Sequence, residues 1–297
     1  MIYPRPLKPG DAIAIVSPAS KINPELIDAA SRTIEHYGYR PILSDCCKTC
    51  CGSFSGSINQ RLCDLQHAFE NHDVRAVLCS RGGYGVVQLI NDMNMNIWHD
   101  DPKWLIGFSD ISALHAVAHY NDVASIHASM CKHLASRPDD ECTKAIFSIL
   151  AGEKPQYEVE GNYRNREGEA SGEIVGGNLA VLSGLNSTPY NLLQPGKILF
   201  IEDIAEAIYK VERMLYTLKL NGTLAQTKAL IVGQFTDWKS SDDFQHMYDM
   251  VENMVKDYDF PVAYDFPIGH VERNLPIIEG AQVELKITKE KVNLNFK

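Results

Sequence analysis

The sequence predicts an α/β protein: an N-terminal domain built on a parallel β-sheet with βα units, followed by a second, β-rich α+β domain. Three observations carry this. Short apolar runs alternate with amphipathic helical patterns through the first half, the signature of a parallel sheet wrapped by helices. Between about residues 152 and 173 the stretch EKPQYEVEGNYRNREGEASG is polar, contains three glycines and shows no sustained apolar period, as a boundary or a hairpin-rich crossing would. The chain then closes on AQVELKITKEKVNLNF, whose alternation argues a terminal antiparallel pair. The expected division is 1–155 for the first domain, 156–173 for a linker or crossing, and 174–297 for the second domain.

AIAIV (12–16) reads as the first strand. In NPELIDAASRTIEHYG, Asn23 is placed to cap, Pro24 takes the first helical position, and Leu26, Ile27, Ala30, Ile34 and Tyr37 form an apolar face ended by Gly38. Next come PIL (41–43), a helix over 58–70, the strand VRAVLC (74–79) and a helix beginning near Gly85. The strand WLIGF (104–108), a helix after Asp110 and a short VASIH segment (123–127) complete the first domain. The second opens with IVGGNLAVLSGL and passes through the strand KILFIED (197–203), a helix around YKVERMLYTLKLNG and the strand ALIVGQF (229–235).

With 297 residues, 45% of them hydrophobic and 22% charged, the chain is long enough for two domains with their own cores. A formal net charge of -10, from 38 acidic against 28 basic side chains, with no long basic run, would repel a polyanion, so no nucleic-acid partner is expected. The N-terminus MIYPRPLKPGDAIAIVSPAS lacks a secretory apolar region. Nothing approaches the roughly 18 apolar residues of a membrane span, so a cytoplasmic location and no membrane partner are expected. The eight cysteines then read as reduced thiols. SDCCKTCC, with Cys46, Cys47, Cys50 and Cys51, resembles half of a zinc ligand set, but Cys63, Cys79, Cys131 and Cys142 occur singly and supply no second pair. No metal is expected.

Four stretches put reactive or anion-binding groups just beyond an apolar segment, where ligands gather in open α/β sheets. CSRGGYG (79–85) offers backbone amides at a turn, able to hold an anion or simply to make the turn. GFSD sets Ser109 between a strand and a helix, as a nucleophile or as a cap. It departs from the hydrolase elbow G-x-S-x-G, because Ile111 stands at the second glycine. KILFIED delivers Glu202 and Asp203, with Glu206 beyond; a carboxylate there can orient a histidine, bind a metal or cap a helix. FPIGHVERN places His270 after an apolar segment and a glycine. Of the ten histidines only His127 and His270 stand in such a position, and the residues alone leave the choice between them open.

Taken together and in order, AIVSPAS, SRGGYG, GFSD, GGNLAVLSGLNSTPY, KILFIEDIAEAIYKVERMLYTLKLNG and PIGHVERNLPIIEGAQVEL resemble the L,D-carboxypeptidase family of serine peptidases. That family includes murein tetrapeptide carboxypeptidases and microcin self-immunity peptidases. The resemblance implies a Ser-Glu-His triad of Ser109, Glu202 and His270, with Glu206 the alternative carboxylate. It implies an oxyanion hole from the amides of Asp110 and Gly83, with Gly82 the alternative. It further implies release of a terminal D-alanine from a murein tetrapeptide in cytoplasmic peptidoglycan recycling, a homodimer, and no metal or organic cofactor. Arg81 is then a candidate to meet the substrate's free carboxylate. Two stretches depart from the family pattern: HASM (127–130) stands where many members have His-Gly-Pro-Met, and CCKTCC has no family counterpart. Microcin-type members are longer and carry an aromatic-bearing loop, so murein peptide is the expected substrate. A peptidase or amidase acting on a peptidyl nucleotide and a non-catalytic protein binding a small anion are the competing readings.

Overall fold

Ala12–Val16 (β1) is buried at every position, as a strand covered on both faces must be. In the computed structural model, which describes Met1–Lys297, this strand sits inside a six-stranded sheet. Helix α1 (Pro24–His36) follows; the Asn23 side chain accepts from the Glu25 amide at 3.1 Å, a cap that contributes about 1 kcal/mol. Next come β2 (Arg40–Leu43) and α2 (Ile58–Glu70), which opens with a Ser57/Gln60 capping box. Strand β3 (Val74–Cys79), the short helix α3 (Ile97–Asp100), β4 (Trp104–Gly107), α4 (Ser112–Tyr120) and β5 (Ser125–His127) complete the parallel part. Two further helices, α5 (Cys131–Ser136) and α6 (Glu141–Leu150), close this stretch. In the sheet β5, β4, β3, β1 and β2 lie side by side in parallel, and Ile277–Glu279 adds antiparallel to β5.

The helix expected near Gly85 is not a regular one. Residues 86–88 and 90–92 form two separate 3-10 turns before α3. Asn91, Asp92, Asn94 and Asn96 carry short polar side chains that compete for backbone groups, and the Asn94 side chain does accept from the Asn96 amide at 3.1 Å.

The other sheet has seven strands: β6 (Gln156–Glu160), β7 (Gly168–Asn178), β8 (Ile198–Ile204), β9 (Ala229–Thr236), β10 (Val262–Ala263), β12 (Gln282–Ile287) and β13 (Lys291–Phe296), with Ile277–Glu279 taking the label β11. Its order is β10-β9-β8-β7-β12-β13-β6. Strand β7 joins two kinds of pairing: Gly168–Glu173 runs antiparallel to β12, and Ile174–Asn178 runs parallel to β8. Helices α7 (Leu179–Ser183), α8 (Ile208–Leu220), α9 (Thr223–Gln226) and α10 (Met247–Val255) lie between these strands in the chain.

The chain forms two compact units, Met1–Glu153 with Leu275–Glu279, and Lys154–Asn274 with Gly280–Lys297. Residues 156–173, read from their polarity as a linker or a hairpin-rich crossing, are largely strand: Tyr157 and Val159 are buried while their neighbours Gln156, Glu158 and Glu160 face out. Their polarity is that of a one-sided sheet rather than of a loop. Residues 275–279, assigned by contiguity to the second domain, belong instead to the first unit, where buried Ile277 and Ile278 extend its sheet.

Candidate active site

In the first unit, three loops meet at the carboxyl ends of β1, β3 and β4. Ser109 follows β4 with φ of +64°, a left-handed conformation that costs a serine energy and turns the chain sharply. The residue starts a 3-10 turn, Ser109–Ile111, and neither this turn nor α4 has a side-chain cap. The Asp110 carboxylate accepts from the Val86 amide at 3.0 Å, tying the Ser109 turn to the glycine-rich turn. Burial pushes the Asp110 carboxyl up, opposed by that amide and by the Arg61 charge. Ile111, which breaks the elbow motif, packs on Gly107: a methyl group there would lie 2.9 Å from its side-chain carbons.

The glycine-rich turn lies directly against Ser109. A methyl group on Gly82 would be 2.9 Å from Ser109 Cβ, 3.0 Å from its Oγ and 3.2 Å from the Asp110 nitrogen. Gly83 has φ of +101° and leaves no space on its other side, where a methyl group would sit 2.3 Å from Ser20 Oγ. Ser20 in turn accepts from the Tyr84 amide at 3.3 Å. Arg81 is exposed and donates to the Lys21 carbonyl at 2.9 Å. His115, fully buried on α4, bonds to the Gly107 carbonyl and the Ser125 hydroxyl, each at 2.8 Å. Burial pushes its pKa down to about 4, so the ring is neutral and braces the end of β4. His127 is buried within β5.

In the second unit, β8 and the loop after β10 bring Glu202 and His270 together. Glu202 is wholly buried, and His270 Nδ1 lies 2.8 Å from its Oε2. The β8–β9 register shifts between Ile201 and Asp203, an irregularity of the kind that re-aims a side chain. Gly269, at φ of +123°, lets the backbone pass over the carboxylate, since a methyl group there would be 2.9 Å from Glu202 Oε2. Buried Asn274 holds this loop by accepting from the Gly269 amide at 2.9 Å. Burial would lower the His270 pKa, but the hydrogen bond and charge of Glu202, with Asp203 and Asp237 adding, hold it above the ordinary 6.5. Asp203 accepts from Asn178 at 3.0 Å and from the Ala180 amide at 2.8 Å. Burial, then the adjacent Glu202 charge, push its carboxyl up to about 6. Glu206 pairs with Lys210 at 3.1 Å, so of the two glutamates Glu202 is the one on His270.

The cysteine stretch forms no such cluster. Cys46 and Cys47 are buried while Cys50 and Cys51 are exposed, and no group of three or more His, Cys, Asp or Glu side chains is arranged to hold a metal ion. No helix is long and apolar enough to cross a membrane. Arg61 and Ser20 escaped the sequence reading. Arg61 shares the spacing of the apolar face of α2, with Leu65 and Ala68, and only the structure shows that it is buried there.

Two family descriptions cover most of the chain: the LD-carboxypeptidase N-terminal domain over residues 13–128 and the LD-carboxypeptidase C-terminal domain over 171–285. The chain belongs to the LD-carboxypeptidase family. Among its relatives in that family, a probable murein peptide carboxypeptidase of Bacillus subtilis (strain 168) is 31% identical over 97% of this chain and 92% of its own. A muramoyltetrapeptide carboxypeptidase from Oxalobacter formigenes superposes with a TM-score of 0.87 at 25% identity, over 96% of this chain and 98% of the other. MccF in complex with glutamyl sulfamoyl guanosine superposes with a TM-score of 0.86 at 19% identity, over 98% of each chain, a likeness of fold. LD-carboxypeptidase membership makes this chain a serine-type carboxypeptidase hydrolase, and its two-sheet α/β architecture is the family's.

Proposed function

We propose that the protein is a serine L,D-carboxypeptidase that releases the terminal D-alanine of murein tetrapeptides during peptidoglycan recycling in the cytoplasm. The observation that carries this reading is the 2.8 Å bond from His270 Nδ1 to the buried Glu202 carboxylate. It places the imidazole proton on Nδ1, makes Nε2 the basic nitrogen, and supplies the charge that steadies an imidazolium. In the proposed reaction Nε2 takes the Ser109 hydroxyl proton as Oγ attacks the scissile carbonyl. The amides of Gly83 and Asp110 receive the oxyanion, and the left-handed turn at Ser109 presents the hydroxyl. His270 then gives its proton to the departing D-alanine amine, and water repeats the cycle on the acyl-enzyme. Arg81 is proposed to meet the terminal carboxylate of the substrate. The names of the relatives, a murein peptide carboxypeptidase and a muramoyltetrapeptide carboxypeptidase, support the substrate, and eight free thiols suit a reducing compartment.

The test is release of free D-alanine from L-Ala-γ-D-Glu-diamino acid-D-Ala. The wild type is expected to release it, and Ser109→Ala to lose at least about 10³-fold in kcat while folding normally. Undiminished turnover by Ser109→Ala overturns the assignment. Binding without turnover by the wild type points to the anion-binding reading, and cleavage confined to an aminoacyl nucleotide points to the microcin-type one. As a homodimer, the same preparation should sediment at about twice the 33.2 kDa of the chain; a monomer overturns that part.

A further inference from the structure

Arg61 is 1% exposed and is aimed at backbone rather than at a carboxylate. Nε donates to the Gly56 carbonyl at 3.1 Å, Nη1 to the carbonyls of Pro18 at 2.7 Å and Gly85 at 3.0 Å, and Nη2 to Gln88 Oε1 at 2.6 Å. The guanidinium also lies 4.7 Å from the centre of the Phe54 ring. Its bonds therefore join the loop after β1, the entry to α2 and the glycine-rich turn after β3. Gly85, at φ of +129°, is pressed onto it: a methyl group there would be 2.7 Å from Arg61 Nη1 and 2.9 Å from the Phe54 ring. The next residue, Val86, is held by its amide to Asp110 at 3.0 Å. The glycine-rich turn is thus gripped at successive residues, by Arg61 on the Gly85 carbonyl and by Asp110 on the Val86 amide.

We propose that Arg61 is a positioning residue for the oxyanion hole, setting the turn that carries the Gly83 amide against the turn that carries Ser109 and the Asp110 amide. This rests on the serine-hydrolase reading above. Taking a guanidinium out of water is unfavourable, so mere filling of space would be met better by an apolar side chain. What an apolar side chain cannot do is satisfy three carbonyls and an amide oxygen from one rigid fork. Lysine keeps the charge but, as a single point on a flexible stem, cannot span the four acceptors. A displacement of about 1 Å at the hole costs on the order of 10²-fold in rate.

The experiment compares wild type, Arg61→Lys and Gln88→Met in two readouts: D-alanine release, and the rate at which a fluorophosphonate probe labels Ser109 by displacement of fluoride. The labelling step needs the nucleophile and the oxyanion hole but not the natural substrate. For folded Arg61→Lys, kcat and labelling rate should fall together by about 10- to 100-fold, with KM within about threefold and the acid limb of the pH profile unmoved. Gln88→Met, which removes one acceptor, should slow labelling by about threefold. Wild-type labelling in folded Arg61→Lys, or a loss wholly in KM, overturns the proposal. Should Arg61→Lys fail to fold, unchanged labelling of Gln88→Met overturns it. A wild type that labels without releasing D-alanine fails only the substrate reading, whereas one that does neither removes the oxyanion hole and this role with it.

Discussion

A glutamine at position 202 would keep the shape of the side chain facing His270 and remove its charge. In the wild type, burial lowers the His270 pKa, and the carboxylates around it, Glu202 foremost with Asp203 and Asp237, more than reverse this. In the proposed mechanism His270 must be neutral to accept the Ser109 proton, so activity should rise with pH through a value above 6.5. Glu202→Gln removes the largest counterweight to burial. The imidazole should then titrate below the wild-type value, and kcat should fall on the order of 10³-fold or more because the tautomer is no longer fixed. An NMR titration of His270 in the two proteins checks the direction; an unmoved or raised pKa in the variant contradicts the electrostatic account. The residues alone left His127 against His270 open, because each follows an apolar segment, and set Glu202 before Glu206 only by its place at the strand end. The structure pairs His270 with Glu202 and Glu206 with Lys210, while His127 is the buried last residue of β5. Arg61 was illegible for a different reason. A helical period marks which face is buried, not that a charged residue on that face has found carbonyl partners.

At the scale of turns and strands, glycines separate function from stability. Gly82 stands against Ser109 and Gly176 against the β8 backbone, where a methyl group would lie 1.9 Å from the Phe200 carbonyl oxygen. Gly82→Ala should displace Ser109, the proposed nucleophile, by a few tenths of an ångström, lowering kcat by at least about tenfold while costing about 1 kcal/mol of stability. Gly176→Ala has no flexible neighbour to move and should cost about 3 kcal/mol or more, by parting β7 from β8. Denaturant unfolding beside kinetics distinguishes the two; equal stability losses, or a silent Gly82→Ala, contradict this division. Elements with explicit end signals were legible: α1 has Asn23, Pro24 and Gly38, and β12 and β13 alternate cleanly. Residues 85–100 were not, because their apolar content suggests a helix while their Asn and Asp side chains break it into turns. Residues 156–173 were hidden by the open face of an antiparallel sheet, whose polar half reads as loop.

For the molecule as a whole, the order of motifs along the chain carried the family, whereas the path of the chain between units could not be read. The chain passes between them at 153/154, 274/275 and 279/280, and the short visitor Leu275–Glu279 has no sequence mark beyond being apolar. Its consequence is that the first unit is not encoded by one continuous segment. Strand β11 pairs with β5 at all three of its residues, Ile277 with His127, Ile278 with Ile126 and Glu279 with Ser125. On its other side β5 pairs with β4, the strand that leads to Ser109. A fragment ending at Glu153 would leave β5 as an open edge, with unpaired backbone groups beside buried Ile126. Such an edge recruits other chains. Fragment 1–153 is therefore expected to self-associate, and the same fragment with residues 275–279 appended through a flexible linker to be monomeric, with slowed amide exchange in β5. Sedimentation and hydrogen exchange on the pair decide it. A monomeric fragment 1–153 whose β5 amides are as protected as in the whole chain would show that β11 is an ornament on a sheet already complete.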